Sequence, residues 1–239
     1  MPSLWLRDVV LRRGASLVFD GLSLELTERR IGLIGDNGSG KSSLLRLMNG
    51  LLLPDAGAVE VCGFDTRAHR KELPGLAGFL FQNPDHQILF PTAGEEITFG
   101  LRETGMAPAA ATAQMRAILA ERGCDDWEQR PVEELSDGQR QRLCIMAVMA
   151  MEPKVLLLDE PFASLDLPTR RALATELMVW PQQILLATHD FTLLDCFDRV
   201  IWLHKGQIAA DGAPGKVLAE YERDAGLRHE PATLQAAAQ

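Results

Sequence analysis

The octet Gly35-Asp-Asn-Gly-Ser-Gly-Lys41-Ser42 constrains this chain more than any other stretch. It sits between an apolar run, Ile31 to Ile34, and a segment, Lys41 to Gly50, with helical spacing of Leu44, Leu45 and Met48. Glycines at 35, 38 and 40 let the backbone wrap close to an anion, where a Cβ would clash or forbid the dihedrals. Successive N–H groups and the helix N-terminus then offer donors and partial positive charge to phosphate oxygens. GxxxxGK[ST] between strand and helix is the pattern of a nucleotide cradle. The candidate nucleotide-binding residues are Gly35, Asp36, Asn37, Gly38, Ser39, Gly40, Lys41, Ser42 and Ser43. Lys41 is placed to reach the β- and γ-phosphates, and the Ser42 hydroxyl to ligate Mg²⁺.

A second anchor is Val155-Leu-Leu-Leu158 followed by Asp159 and Glu160. Four apolar residues read as a buried strand that delivers two carboxylates at its C-terminal end, where α/β folds place ligands. Asp159 is the candidate Mg²⁺ ligand, and Glu160 the candidate base that activates a water. Other short apolar runs (Val59 to Cys62, Ala77 to Phe81, Ile184 to Ala187, Val200 to Leu203) alternate with helix-like pieces such as Pro168 to Trp180. Leu22, Leu24 and Leu26 alternate with polar residues, as in a strand with one buried face. The expectation is an α/β core with a mainly parallel sheet and antiparallel strands at its start. From Ala93 to Ala150 the pattern changes to helices alone: Glu95 to Leu101, Ala109 to Glu121 and Asp137 to Ala150.

Composition narrows the function. The 239 residues are 46% hydrophobic, enough to bury a core without disulfide or metal staples. A net charge of −9 argues against a nucleic-acid coat, which needs a basic stripe to release phosphate counterions. Cys62, Cys124, Cys144 and Cys196 contain no CxxC pair and read as buried small hydrophobes in a reducing compartment. Arg7 and Asp8 interrupt the place where a signal peptide needs an apolar run. The longest apolar stretch, Leu143 to Met151, is about half a bilayer span. A soluble, acidic protein is expected.

Leu135-Ser-Asp-Gly-Gln139 opens the third helix of the middle segment, with Ser136 as a good N-cap. The order of the cradle, Gln82, LSDGQ, LLLDE, Leu165-Asp166 and Thr188-His189-Asp190 resembles that of ATP-binding cassette (ABC) ATPases over about Leu4 to Leu218. The resemblance implies a P-loop NTPase (RecA-like) α/β core with N-terminal antiparallel β elements and an inserted all-α subdomain. The core takes residues 1–92 and 151–222, the helical signature subdomain 93–150, and a tail 223–239. It implies ATP and Mg²⁺ as ligands, with catalytic roles for Glu160, for His189 as the switch histidine, and for Gln82. Gln82 also senses Mg²⁺, beside the metal ligands Ser42 and Asp159. Ser136, Asp137, Gly138, Gln139 and Asp166 match residues that act across a head-to-tail dimer, so each ATP is sandwiched at a composite site. The chain's partner is a second copy or a paralogous ATPase. Two departures stand out. Arg13 occupies the position of an aromatic that stacks on adenine, where a guanidinium can also stack. Asp137 replaces the first glycine of LSGGQ and brings a negative charge near a triphosphate.

Phe81-Gln-Asn-Pro-Asp-His-Gln-Ile-Leu-Phe-Pro-Thr92 with Glu95-Glu-Ile-Thr-Phe-Gly100 is similar to the corresponding segment of energy-coupling-factor importers. That group takes up vitamins such as biotin, or transition-metal ions such as cobalt. The resemblance implies an integral membrane coupling protein and a small substrate-binding membrane protein as partners, no nucleic acid, and a peripheral place on the cytoplasmic face of the cell membrane. Ile88, Leu89 and Phe90 form an apolar triplet beside the nucleotide sensor, suited either to docking a partner helix or to packing under the helical segment. Alternatives are an ATPase of another ABC importer class, a DNA-repair or chromosome-type ABC ATPase, and a P-loop kinase. The DNA-handling proteins carry long coiled-coil or zinc insertions, and a kinase needs an acceptor site in place of LSDGQ.

Overall fold

The computed structural model describes residues 3–163 and 165–229. The chain begins with β1 (Leu4–Arg13), β2 (Ser16–Leu26) and β3 (Arg30–Ile34), then α1 (Lys41–Met48), β4 (Ala56–Val61), β5 (Phe64–Asp65), the short α2 (Leu73–Leu76) and β6 (Ala77–Leu80). Three helices follow, α3 (Ala93–Glu103), α4 (Pro108–Glu121) and α5 (Asp137–Ala150). The remainder alternates β7 (Val155–Asp159), α6 (Leu167–Val179), β8 (Gln183–Ala187), β9 (Arg199–His204), β10 (Gln207–Gly212) and α7 (Pro214–His229).

Two sheets organise these elements. One is antiparallel, in the order β2-β1-β4-β5, and the other runs β10-β9-β3-β8-β7-β6. In the larger sheet β6, β7, β8, β3 and β9 are mutually parallel, and only the β9–β10 hairpin is antiparallel. Every residue of β3, β7 and β8 is buried, as their uninterrupted aliphatic runs require of strands covered on both faces. On one face Leu44, Leu45, Leu47 and Met48 of α1 fill the space beneath the antiparallel sheet. On the other, α5, α6 and α7 cover the strands through Ile145, Leu173, Leu177 and Val217. Helices α3, α4 and α5 close over an apolar cluster of their own around Ile97, Met115, Trp127 and Leu143.

Two expectations need correction. The segment from Arg223 was expected to be a frayed tail, yet α7 continues through His229. Tyr221 in this helix packs edge-on against Phe191 and Trp202, an anchor that the polar sequence around it hides. Residues 230–239 lie outside the described residues. Cys196 is exposed, whereas Cys124 and Cys144 are buried, because it ends a surface 3-10 turn, Phe191–Cys196.

Arg30 is 3% exposed and ties the sheet to the C-terminal end of α6. Its guanidinium donates to the carbonyls of Leu177 (3.1 Å), Met178 (3.2 Å) and Gln182 (2.7 Å). The Leu177 and Met178 carbonyls are among those that a helix end leaves without intrahelical partners. Arg30→Met is expected to lower stability by about 3 kcal/mol. The check is a fall in urea midpoint at unchanged m-value.

Candidate nucleotide site

The loop after β3 is set by its glycines. Gly35 has φ 142 and Gly40 φ 112, in the region L side chains rarely adopt. A Cβ on Gly35 would lie 2.1 Å from the Leu203 carbonyl oxygen, and one on Gly40 would lie 2.8 Å from the Phe19 ring. No side chain caps the N-terminus of α1, so its first N–H groups remain for an anion. The Ser39 hydroxyl is buried without a partner. Lys41 Nζ donates to the carbonyls of Gly35 (2.6 Å) and Asp36 (3.1 Å). Burial pulls the Lys41 ammonium below its ordinary pKa, against the opposing charges of Glu160, Asp159 and Asp36.

Parallel strands carry the rest of the site at their carboxyl ends, where this class of sheet collects ligand-binding groups. Asp159 ends β7, and its Oδ1 accepts from the Ser42 hydroxyl at 2.9 Å. Burial pushes the Asp159 carboxyl above its ordinary pKa, opposed by the Ser42 hydrogen bond and by Arg46 and Lys41. Hard oxygens that touch, one of them desolvated, form a donor set that fits Mg²⁺. Glu160 follows in a left-handed conformation (φ 48), its N–H bonded to the Ala187 carbonyl at 3.0 Å. This turns its carboxylate toward the end of β8, where Oε1 lies 3.1 Å from His189 Nε2. Asn37, Gly38, Lys41, Ser42, Ser43, Gln82, Glu160 and His189 all line one cleft of about 560 Å³. It presents cation and N–H donors to an anion, a metal-type oxygen pair, and a carboxylate oriented by an imidazole.

Other residues lie elsewhere. Arg13 pairs with Ser16 at the exposed tip of the β1–β2 hairpin and does not line the cleft; Val18 stands there instead. The hairpin turns at Gly14, and this keeps Arg13 at the tip. Ser136 caps α5 reciprocally with Gln139, each side chain accepting the other's backbone N–H. Asp137 and Gly138 share that turn, outside the cleft. Asp166 caps α6 through the Thr169 N–H at 2.9 Å; Ser164 lies outside the described residues. The triplet divides. Ile88 packs between the sheet-side and helical apolar clusters, Leu89 is 72% exposed, and Phe90 stacks at 5.0 Å on Phe99.

Several site neighbours have no local sequence signal. The Tyr221 hydroxyl donates to Asp36 Oδ1 at 3.0 Å, and Gly206 N–H donates to the Ser39 carbonyl at 3.0 Å. Both brace the loop from residues far along the chain. Glu96, buried in α3, accepts the N–H groups of Leu89 (2.9 Å) and Phe90 (3.0 Å). The Glu95-Glu96 pair in the sequence could have flagged it only as an acidic first helical turn.

Gly35→Ala meets a backbone oxygen that cannot move aside, so the loop must shift. ATP affinity is expected to fall at least ~10-fold, about 1.4 kcal/mol or more, while the sheet stays folded. Calorimetric ATP titration beside a circular dichroism melt checks this.

The ABC transporter family model matches residues 19–163. A biotin transport ATP-binding protein, BioM, of Rhodobacter capsulatus is 49% identical over 221 residues, covering 92% of this chain and 94% of that protein. The BioM protein of Rhizobium etli is 38% identical over 208 residues, covering 87% and 92%. Among solved structures, cbiO1 of Clostridium perfringens, part of the transporter complex cbiONQ, superposes with TM-score 0.77 at 27% identity over 95% of each chain. An ATP-bound bacterial Atm1-family exporter gives TM-score 0.78 at 23% identity over 97% of this chain and 42% of that one, a likeness of fold alone. With the cradle, the paired carboxylates and these relatives together, the chain belongs to the ABC transporter family, as one of its ATP-binding ATPases.

Proposed function

We propose that this ATPase powers an energy-coupling-factor-type importer for a micronutrient, a vitamin such as biotin or a transition-metal ion such as cobalt. The observation that carries the reading is the convergence of Lys41, Ser42–Asp159 and Glu160–His189 in one cleft, in a chain whose relatives are named for biotin transport. In this reading the N–H groups of residues 37–43 and Lys41 hold the phosphates. Ser42, Asp159 and Gln82 would hold Mg²⁺, which supplies neutralising charge to the β- and γ-phosphates. Glu160 accepts the proton of the attacking water, and His189 keeps the carboxylate aimed. Residues 93–150 form the helical signature subdomain.

Ser136 and Gly138 stand outside their own chain's cleft, which supports a head-to-tail pair in which each signature turn completes the other's site. The pair is two copies of this chain or this chain with a paralogue. No described helix is long and apolar enough to cross a membrane, so membrane attachment falls to partners, on the cytoplasmic face. Docking is best supported at a groove of about 600 Å³ lined by Phe90, Phe99 and Met115 together with Glu95, Arg102, Glu103 and Glu128, the last paired with Arg116. An aromatic surface flanked by charged side chains of both signs suits an amphipathic helix of an integral coupling protein, itself paired with a small substrate-binding membrane protein.

Glu160→Gln keeps the shape and removes the proton acceptor. Turnover is expected to fall at least ~100-fold with ATP still bound, and a closed dimer to accumulate on gel filtration. Near-normal phosphate release by the purified variant would refute the role of Glu160.

Leu89→Asp with Phe90→Asp leaves Ile88 in its packed place and puts charge in the groove at 90 and on the exposed surface beside it at 89. The double variant is expected to leave the membrane fraction while binding ATP normally. Undiminished co-sedimentation would move docking elsewhere.

A further inference from the structure

Asp137 is the signature-turn residue that the resemblance leaves unexplained, and its side chain points to a different use. It pairs with Arg140 one turn along α5. Arg140 Nη1 also lies 3.4 Å from Asp85 Oδ1, in the 3-10 turn Pro84–His86 that follows Gln82. Arg140 is the most buried of the three, with side-chain exposures of 25% for Arg140, 59% for Asp85 and 62% for Asp137. Its Nε is buried without a partner, and its contacts to the two carboxylates are made through the separate terminal nitrogens Nη1 and Nη2. Both push its pKa further up, so the bridge stays charged. Gln82, Asp85, Asp137 and Ala163 share a cavity of about 430 Å³. On its other side the signature turn rests on the start of α6, where a Cβ on Gly138 would lie 3.5 Å from Thr169 Cγ2.

We propose that Arg140 is a positioning residue that ties the signature turn to the docking segment. Asp137 is then its anchor, not a charge that repels phosphate. This rests on the docking assigned to the Phe90–Phe99 groove. A partner helix that shifts the Asp85 turn moves Ser136 and Gly138 through the bridge, so occupancy of the groove reaches the other subunit's ATP. Exposed ion pairs add little to stability, so the effect lies in placement. A lysine ammonium is a point charge that cannot span two carboxylates as a planar fork does.

The test measures kcat, KM for ATP and melting temperature in membranes that contain the full complex. The variants are Arg140→Ala, Arg140→Lys, Asp85→Asn, Asp137→Asn and the Asp85→Asn/Arg140→Ala pair. Each single removal is expected to lower kcat about fivefold with KM held within about twofold. Asp85→Asn should add nothing to Arg140→Ala, because both break one bridge. Arg140→Lys should recover part of the loss. Additive effects, a silent Asp85→Asn, or a rise in kcat for Asp137→Asn overturns the proposal, the last being what a phosphate-repelling carboxylate would give. Membrane association of the Leu89→Asp/Phe90→Asp variant reports separately on docking, so a failure of either reading is distinguishable from failure of the other.

Discussion

A loop that wraps an anion must leave its own N–H groups unpaired, so its shape cannot come from backbone hydrogen bonds alone. Here the shape comes largely from outside the loop. The Leu203 carbonyl and the Phe19 ring exclude any Cβ at Gly35 and Gly40, Gly206 N–H and the Tyr221 hydroxyl brace it, and Lys41 ties back to the Gly35 and Asp36 carbonyls. These supports belong to β2, β9, the β9–β10 turn and α7, so the cradle exists only when both sheets and the last helix are assembled. Preorganised N–H donors need no rearrangement when charge arrives, and this makes such a site effective.

The parallel sheet supplies the second half of the chemistry. Side-by-side strands bring Ser42, Asp159, Glu160 and His189 together although the sequence separates them widely. Glu160 pays the strain of a left-handed backbone, and its carboxylate turns toward His189 as a result. The turn that opens α5 remains outside this cleft.

The helical segment links that turn to the surface. Glu96 fixes the backbone of Leu89 and Phe90, the aromatic pair Phe90–Phe99 lines a groove, and Arg140 reaches from α5 to the turn after Gln82. The Ile88 N–H bonds to the Pro84 carbonyl at 3.0 Å, so this segment is continuous with the Asp85 turn and, through Arg140, with the start of α5.

Much of this was legible in the chain alone. Strand–glycine turn–helix around residues 31–48, the LLLDE strand end and the helical period of residues 93–150 are local patterns, and local backbone physics makes them what they are. The alternating leucines of β2 likewise announced a half-buried antiparallel strand. Other features depended on what lies opposite in space. Arg13 is a candidate for base stacking by its place in the chain, whereas its position at the exposed β1–β2 tip is set by the hairpin geometry. Residues 223–229 look too polar to pack, yet α7 is held by Tyr221, whose partners Phe191, Trp202 and Asp36 come from distant strands and loops. The apolar triplet reads as one unit, but Ile88 faces two cores and Leu89 faces outward, because the backbone there is gripped by Glu96. Sequence determines chemistry and period because they depend on neighbours along the chain; the partners of Arg30, Arg140 and Tyr221 were decided only when folding brought separate elements into contact.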